Sequence, residues 1–414
     1  MLDIHLVRKQ LNEVKRKIAS KNINPRLLDT VLKYDEVWRT MKTDIDGLRG
    51  KQHEYEKVRD FENAKKTKIE IDEKEKKAAL FEQKRMKALL EVPNIPFDDV
   101  PIGSDENGNK VIREVGKKPV FDFEPKDHLE LGEQLGIIDT KKAAEVAGSR
   151  FSYLKKEAAL LEFALVRLAF DKLMLHGFVP IVPPVMIREE AFMGMGRLTP
   201  SQKEERYHLQ KDKLYLVGSA EHTIGPLHMN EIFDEKQLPL RYVGFSSCFR
   251  REAGSYGKDT RGILRVHQFD KVEMFSFVRP EDSEEEHKFL LSMQEALMQE
   301  LELPYRVMEI CTGDMGFTDA RQYDIECFMP AQGKFRETNS CSNTTDFQAR
   351  GVNIKYRKTS DQKVEFVHML NATGFAIGRM IVAILENYQT KEGIVRIPRA
   401  LQAYVGSKEI QNVD

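Results

Sequence analysis

From Leu27 onward, apolar side chains recur at Leu27, Val31, Tyr34, Trp38, Met41, Ile45 and Leu48, followed in step by Gln52 and Tyr55. The intervals alternate between four and three residues, which keeps one stripe on a single helix face against a partner helix. After about residue 60 the stripe returns at Ala64, Ile71, Ala78 and Phe81, with Lys74 and Arg85 interrupting it. The Ala/Glu/Lys-rich composition there still favours helix. Two helices of about 30 residues would each be ~45 Å long, and the pattern predicts an antiparallel hairpin. Upstream, Leu2, Leu6, Leu11, Val14 and Ile18 predict one short amphipathic helix over residues 1–22, ended by a break from Asn22 to Pro25. Pro93 and Pro96 exclude a continuous helix beyond the hairpin.

The pattern changes after the polar stretch Gly103 to Asn109. Residues 150–176 have the period of a long helix, and short apolar runs then alternate with turns. Leu214–Val217, Arg241–Phe245, Lys271–Phe277 and Phe366–Leu370 are examples. Strands clustered in this way, with helices between and after them, predict an α+β fold: a long antiparallel helical hairpin, then a mostly antiparallel sheet flanked by helices. The division expected is a helical arm over residues 1–100 and a larger domain over residues 101–414.

Composition narrows the picture further. The 414 residues are 41% hydrophobic and 32% charged, with the polar excess in the first quarter, so a large core is available. A formal charge of −1 excludes a uniformly basic nucleic-acid coat and leaves room for a local basic patch. Cys248, Cys311, Cys327 and Cys341 lack metal-ligand spacing and read as buried thiols of a reducing compartment. No apolar run approaches the length of a membrane span, so a soluble, cytoplasmic protein is expected. There is no GxxxxGK[ST] segment and no GxGxxG after a strand, which removes the P-loop and dinucleotide readings.

Around Arg49, Lys51, Lys57, Arg59, Lys65, Lys66 and Lys68, cations crowd the hairpin tip. Taken alone they are either a solvated face or a set of phosphate contacts to RNA. The chemistry concentrates between Phe249 and Phe275, FRREAGSYGKDTRGILRVHQFDKVEMF. Arg250 and Glu252 are two apart, so on a strand they would share a face. A Gly/Ser/Lys/Asp-rich loop follows, and then Arg265, Phe269 and Glu273 recur every four residues. Arginine forks match phosphate oxygens, a ring stacks on a purine, and a carboxylate accepts from an exocyclic amine. Each residue alone reads as a surface ion pair or a core ring; the full set suits a nucleoside triphosphate.

This segment closely resembles motif 2 of the class II aminoacyl-tRNA synthetases, in the form found in the seryl-tRNA synthetase family. GFVPIVPPVM at 177–186 resembles motif 1, which implies a homodimer interface, and GFAIGRMIVAILEN at 374–387 resembles motif 3. ETNSCSN at 337–343, LYLVGSAEHT at 214–223, CTGDMGF at 311–317 and SNTTDFQARGVNIKYR at 342–357 are further family matches. The resemblance implies ATP held by Arg250, Arg251, Glu252, Arg265, Phe269, Glu337, Thr338, Asn339, Ser340 and Arg379. It implies L-serine held by Ser219, Ala220, Glu221, Arg250, Glu273, Asn371 and Thr373. Arg250, Arg379 and Glu337 would be catalytic, with Mg²⁺ on Glu337 and Ser340. The basic hairpin tip would grip tRNA(Ser), with tRNA(Sec) as a further candidate. Ser219 replaces a family Thr, His222 a Val, Thr338-Asn339 an Ile-Ser pair and Ala372 a Gly, which leaves the shape of the amino-acid pocket open. The rival readings are a non-catalytic RNA-binding paralogue, an activator that loads a carrier protein, and a class II enzyme for another small amino acid.

Overall fold

Asp3 accepts a hydrogen bond from the His5 backbone and opens α1 (Ile4–Lys9), which is followed at once by α2 (Leu11–Ser20). The structure is a computed structural model that describes residues 1–253 and 261–412. The single helix expected over residues 1–22 is thus two. Gln10, at φ −130° and ψ 40°, turns the chain between them; Leu2, Val14 and Ile18 of the expected stripe are buried along with Val7, whereas Leu6 and Leu11 are only half-buried. Residues 1–95 form one compact unit. Its main body is the expected hairpin of α3 (Leu27–Lys57) and α4 (Phe61–Leu90). Ile45, Ile71 and Ala78 are buried along the seam, with Met41 and Leu48 packed beside them. Arg59 takes a left-handed φ of 60° in the turn, and the Asp60 side chain caps the Asn63 backbone N–H to start α4.

The two breaks in the α4 stripe are resolved by charge. Lys74 Nζ reaches Asp44 of α3 at 3.0 Å. Arg85 lays its guanidinium 4.0 Å from the Trp38 ring centroid and donates to Asp35 at 3.2 Å. Asp35 is fully buried and also takes a two-pronged fork from Arg8 at 2.6 and 2.8 Å, with Arg39 at 3.1 Å. One carboxylate therefore ties α1, α3 and α4 together.

The second unit runs from Pro96 onward. Its eight-stranded sheet consists of β1 (Lys110–Val115), β2 (Val179–Ile181), β3 (Leu240–Phe249), β4 (Gln268–Val278), β5 (Tyr305–Glu309), β6 (Arg321–Met329), β7 (Lys334–Asn343) and β8 (His368–Ala376). The spatial order is β1-β5-β6-β7-β8-β4-β3-β2. Every pair is antiparallel except β2 with β3. The helix expected from residue 150 begins at Lys156 as α5 (Lys156–Met174), because Tyr153–Leu154 is extended and pairs with Ile138–Asp139. With α6 (Ser283–Glu300) and α7 (Ile377–Asn387) it covers one face of the sheet.

β4 shows how the sheet separates two environments. Val272 and Met274 point into the large core with Leu161, Leu165 and Ile381. Phe275 and Phe277 alternate to the other face and pack in a second cluster with Ala220, Ile224 and Tyr356. Phe269, Lys271 and Glu273 share that second face, beyond the reach of the cluster. All four cysteines are buried thiols. Among the described residues, no helix is long and apolar enough to cross a membrane.

Candidate active site

Two adjoining cavities open on the Phe269–Lys271–Glu273 face. The larger, of about 510 Å³, is lined by Arg206, Ser219, Glu221, Arg250, Glu273 and Asn371 among others. The smaller, of about 160 Å³, is lined by Phe269, Glu337, Thr338, Thr373 and Arg379. Arg250, Glu252, Arg265, Lys271 and Ser340 border both.

Arg250 and Glu252 do not share a strand as expected. β3 stops at Phe249, and Glu252 takes a φ of 52°. The two side chains converge all the same, because the Arg250 backbone N–H donates to the His267 carbonyl and pins the turn against the strand entering β4. Arg250 donates through Nε and Nη2 to the Gly218 carbonyl at 3.2 and 3.1 Å, and its guanidinium lies 5.3 Å from the Phe269 ring centroid. Arg265 also sits ahead of β4 and pairs with Glu252 at 2.6 Å. The Gly/Ser/Lys/Asp-rich loop between these arms, residues 254–260, lies outside the described residues.

Glu273 is buried, with Lys271 Nζ at 2.6 Å and the Ser219 hydroxyl donating at 2.9 Å. Burial raises its carboxyl above the ordinary value; Lys271 opposes that rise and Glu221 adds to it. For Glu221 burial acts in the same direction, but Arg197 and Lys271 outweigh it and hold that carboxyl low. Arg197 meets Glu221 at 2.7 Å. His222 accepts from the Gly218 N–H through Nδ1 and packs 4.8 Å from the Phe192 ring; burial and surrounding cations keep it neutral.

Two β-bulges set the facing of the remaining groups. Ile325 pairs with Asn339 and Glu326 with Glu337, so Thr338 is the extra residue on β7. Glu337 and Ser340 are three apart and would face opposite ways on a regular strand; the bulge brings both to the cavity. Val272 pairs with Phe375 and Glu273 with Thr373, which makes Gly374 the extra residue on β8. Arg379 is the third residue of α7; it meets the Glu337 carboxylate at 3.2 Å and donates to the Glu337 carbonyl at 2.8 Å.

Asp324 stands opposite Ser340 in the ladder, and burial followed by the charge of Glu337 pushes its carboxyl well up. Among the described residues no cluster of three His, Cys, Asp or Glu side chains forms a ready-made metal cage. An all-oxygen set of Glu337, Ser340 and Asp324 beside the smaller cavity nevertheless suits Mg²⁺, which takes one or two carboxylates and completes its shell with water and phosphate oxygens.

Not every residue named from the sequence reaches a cavity. Ala220 packs in the apolar cluster with Met195 and Ile224. Arg251 lies over the Tyr207 ring. Asn339 turns its amide to the Thr373 and Gly374 carbonyls at 3.0 and 2.7 Å. Thr338 lines the smaller cavity while its hydroxyl bonds the Ile325 carbonyl. Thr373 lies on the smaller cavity, across the ladder from Glu273. Asn371 lines the larger one, and its Nδ2 has no hydrogen-bond partner among the described residues. Sequence reading missed Lys271, Arg197 and Arg206. Period-two alternation between Phe269 and Glu273 puts Lys271 on the same face and was the signal that would have found it; nothing local marked the two arginines.

Residues 1–96 match the family model described as the seryl-tRNA synthetase N-terminal domain. Residues 205–388 match that of the class II tRNA synthetase core domain (G, H, P, S and T). The serine–tRNA ligase of Dictyoglomus turgidum is 42% identical over 99% of both chains. That of Pyrococcus horikoshii is 43% identical over 100% of this chain and 98% of its own. The chain belongs to the seryl-tRNA synthetase family. Among solved structures, the seryl-tRNA synthetase of Pyrococcus horikoshii complexed with ATP superposes with a TM-score of 0.94, at 42% identity and full coverage of both chains. The cytoplasmic family member of Naegleria fowleri in complex with AMP gives 0.89 at 33% identity, covering 100% of this chain and 99% of its own. The helical hairpin and the mostly antiparallel sheet expected from the sequence are the family architecture.

Proposed function

We propose that this chain is a serine–tRNA ligase that joins L-serine to ATP as seryl-adenylate and passes the seryl group to the 3′ end of tRNA(Ser). The observation that carries the reading is the continuity of the two cavities. A polar pocket ending in Ser219, Glu221 and Glu273 opens, past Arg250, into a slot walled by Phe269, Glu337 and Arg379. Glu273 takes the serine ammonium, and the hydroxyl bonds within the Ser219–Glu221–Asn371 wall. Alanine would leave those groups unpaired, at a cost large enough for strong discrimination.

In the nucleotide slot, Phe269 stacks on adenine and Glu252 faces its amine, while Arg265 and Arg379 hold the outer phosphates. Arg250 neutralises the α-phosphate as the serine carboxylate attacks it in line and pyrophosphate leaves. Positioning and preorganised positive charge supply the rate enhancement, and no protein nucleophile is needed. Mg²⁺ on Glu337 and Ser340, with Asp324 beside them, would supply charge neutralisation at the phosphates.

The hairpin unit serves as the tRNA-binding arm, with Arg49, Lys51, Lys57, Arg59, Lys65, Lys66 and Lys68 on phosphates near its tip; tRNA(Sec) is a second candidate. Exposed Val179, Val182 and Met186 lie close in sequence to exposed Leu175 at the end of α5. Together they fit a homodimer contact. The setting proposed is the cytoplasm. ATP–pyrophosphate exchange with serine, threonine, alanine and glycine tests the reading. Exchange with serine alone is expected, and absence of exchange with all four refutes it.

A further inference from the structure

The charges around the two cavities cancel in pairs, with two exceptions. Arg197 meets Glu221, Lys271 meets Glu273, Arg265 meets Glu252 and Arg379 meets Glu337. Arg250 and Arg206 meet no carboxylate among the described residues. Arg250 spends two donors on the Gly218 carbonyl. The Arg206 side chain makes no hydrogen bond among the described residues: its Nε is buried without a partner, and the guanidinium lies 5.4 Å from the Phe192 ring centroid. The neighbouring Glu205 carboxylate points elsewhere, accepting from the Ala253 backbone N–H.

Both guanidiniums flank the same glycine. A Cβ on Gly218 would lie 2.7 Å from Arg206 Nη1 and 3.4 Å from Arg250 Nε. Burial and the nearby Arg250 and Arg197 lower the Arg206 guanidinium to about 10, a strain that a bound anion would relieve.

We propose that Arg206 binds the carboxylate of the amino-acid substrate, beside the α-phosphate held by Arg250. The inference rests on the serine-activating function and deepens it. Adenylation must bring two anions together, a carboxylate and a triphosphate, and a second guanidinium beside Arg250 shares their charge. A fork on each lets the carboxylate oxygen reach the α-phosphorus. The new P–O bond forms as the bond to the β-phosphate oxygen breaks, and the electron pair leaves with pyrophosphate; no proton moves. Arg206 is held by an aromatic ring and the Gly218 turn instead of an ion pair, so its fork is free to meet the substrate.

The test is ATP–pyrophosphate exchange on the full chain with wild type, Arg206→Gln, Arg206→Lys and Gly218→Ala. Gly218→Ala keeps Arg206 but displaces its guanidinium. For Arg206→Gln the KM for serine should rise tenfold or more while the KM for ATP stays within twofold. Lysine should recover part of the loss, and Gly218→Ala should raise the serine KM in the same way. Serinamide, which lacks the carboxylate, should compete far more weakly than serine analogues bearing it in wild type, and this preference should collapse in Arg206→Gln. An active wild type with an unchanged serine KM in Arg206→Gln overturns this inference alone. So does a variant whose defect appears in the KM for ATP or for tRNA instead. A wild type without exchange overturns the function and the inference together.

Discussion

Replacing Asp35 by alanine would remove the one acceptor shared by Arg8, Arg39 and Arg85. The Arg8 and Arg85 side chains are 24% and 13% exposed, so both lose their close carboxylate in largely desolvated surroundings. The Arg39 side chain is 51% exposed and contributes little. Breaking a buried pair from one side costs ~3–5 kcal/mol, and the partial exposure of Arg8 places the effect near the lower end, about 3 kcal/mol. A unit of this size has a urea m-value of about 1 to 1.5 kcal/mol per molar, so the midpoint should fall by roughly 2 to 3 M.

Trp38 is the only tryptophan of the chain and lies under Arg85, so its fluorescence reports on this unit within the full-length protein. A midpoint shift below about 0.5 M would refute the clamp. Burial alone would raise the Asp35 carboxyl, but the hydrogen bonds from Arg8 and Arg85 outweigh it and hold the group below 3.8. The unfolded chain therefore binds the proton more readily. The clamp contributes fully above about pH 4 and is lost as pH falls through the lower folded value. Asp35→Asn should flatten that acid limb of the stability profile.

Three further outcomes are expected. Glutamine at Lys51, Lys57, Arg59 and Lys65 should weaken tRNA binding and reduce the slope of log K against log salt, by about 0.7 to 0.9 for each phosphate no longer neutralised, with serine-dependent exchange unchanged. Lys271→Met leaves Glu273 buried without its cation; its carboxyl should then protonate at neutral pH, and exchange with serine should fall by at least tenfold. Burial and the adjacent Asp270 raise the Glu162 carboxyl to about 8, so the folded state holds a proton that the unfolded state releases near 4.5. Stability should fall as pH rises from about 4.5 to 8, and Glu162→Gln should remove that slope in thermal unfolding.

The hairpin was legible because its seam repeats over many turns, and even the breaks at Lys74 and Arg85 proved to be partners for Asp44 and Asp35. Such partners lie 30 and 50 residues away in the chain, and a periodicity cannot announce them. The residues that line the smaller cavity were legible as a set of types at fixed spacing. Their geometry was not: Glu252 reaches the cavity through a left-handed turn instead of a strand. Arg197 and Arg206 lie outside the motifs, in a segment with no period, and became visible only when the fold set them against Glu221 and Arg250. Ala220 illustrates the converse, since a residue inside a motif can serve the core.

The extra residue at Thr338 bears on how this chain could tolerate change in length. A substitution there alters one buried hydroxyl that bonds the Ile325 carbonyl. Deleting it would restore a regular ladder in which Glu337 and Ser340 stand two apart, opposite Glu326 and Asp324, and still share one face. Two oxygen donors that stand three apart owe their common direction to the unpaired residue between them. A library of single-codon deletions across 334–343 would find the bulge tolerant and the regularly paired positions around it intolerant, a contrast that no scan of side chains could expose.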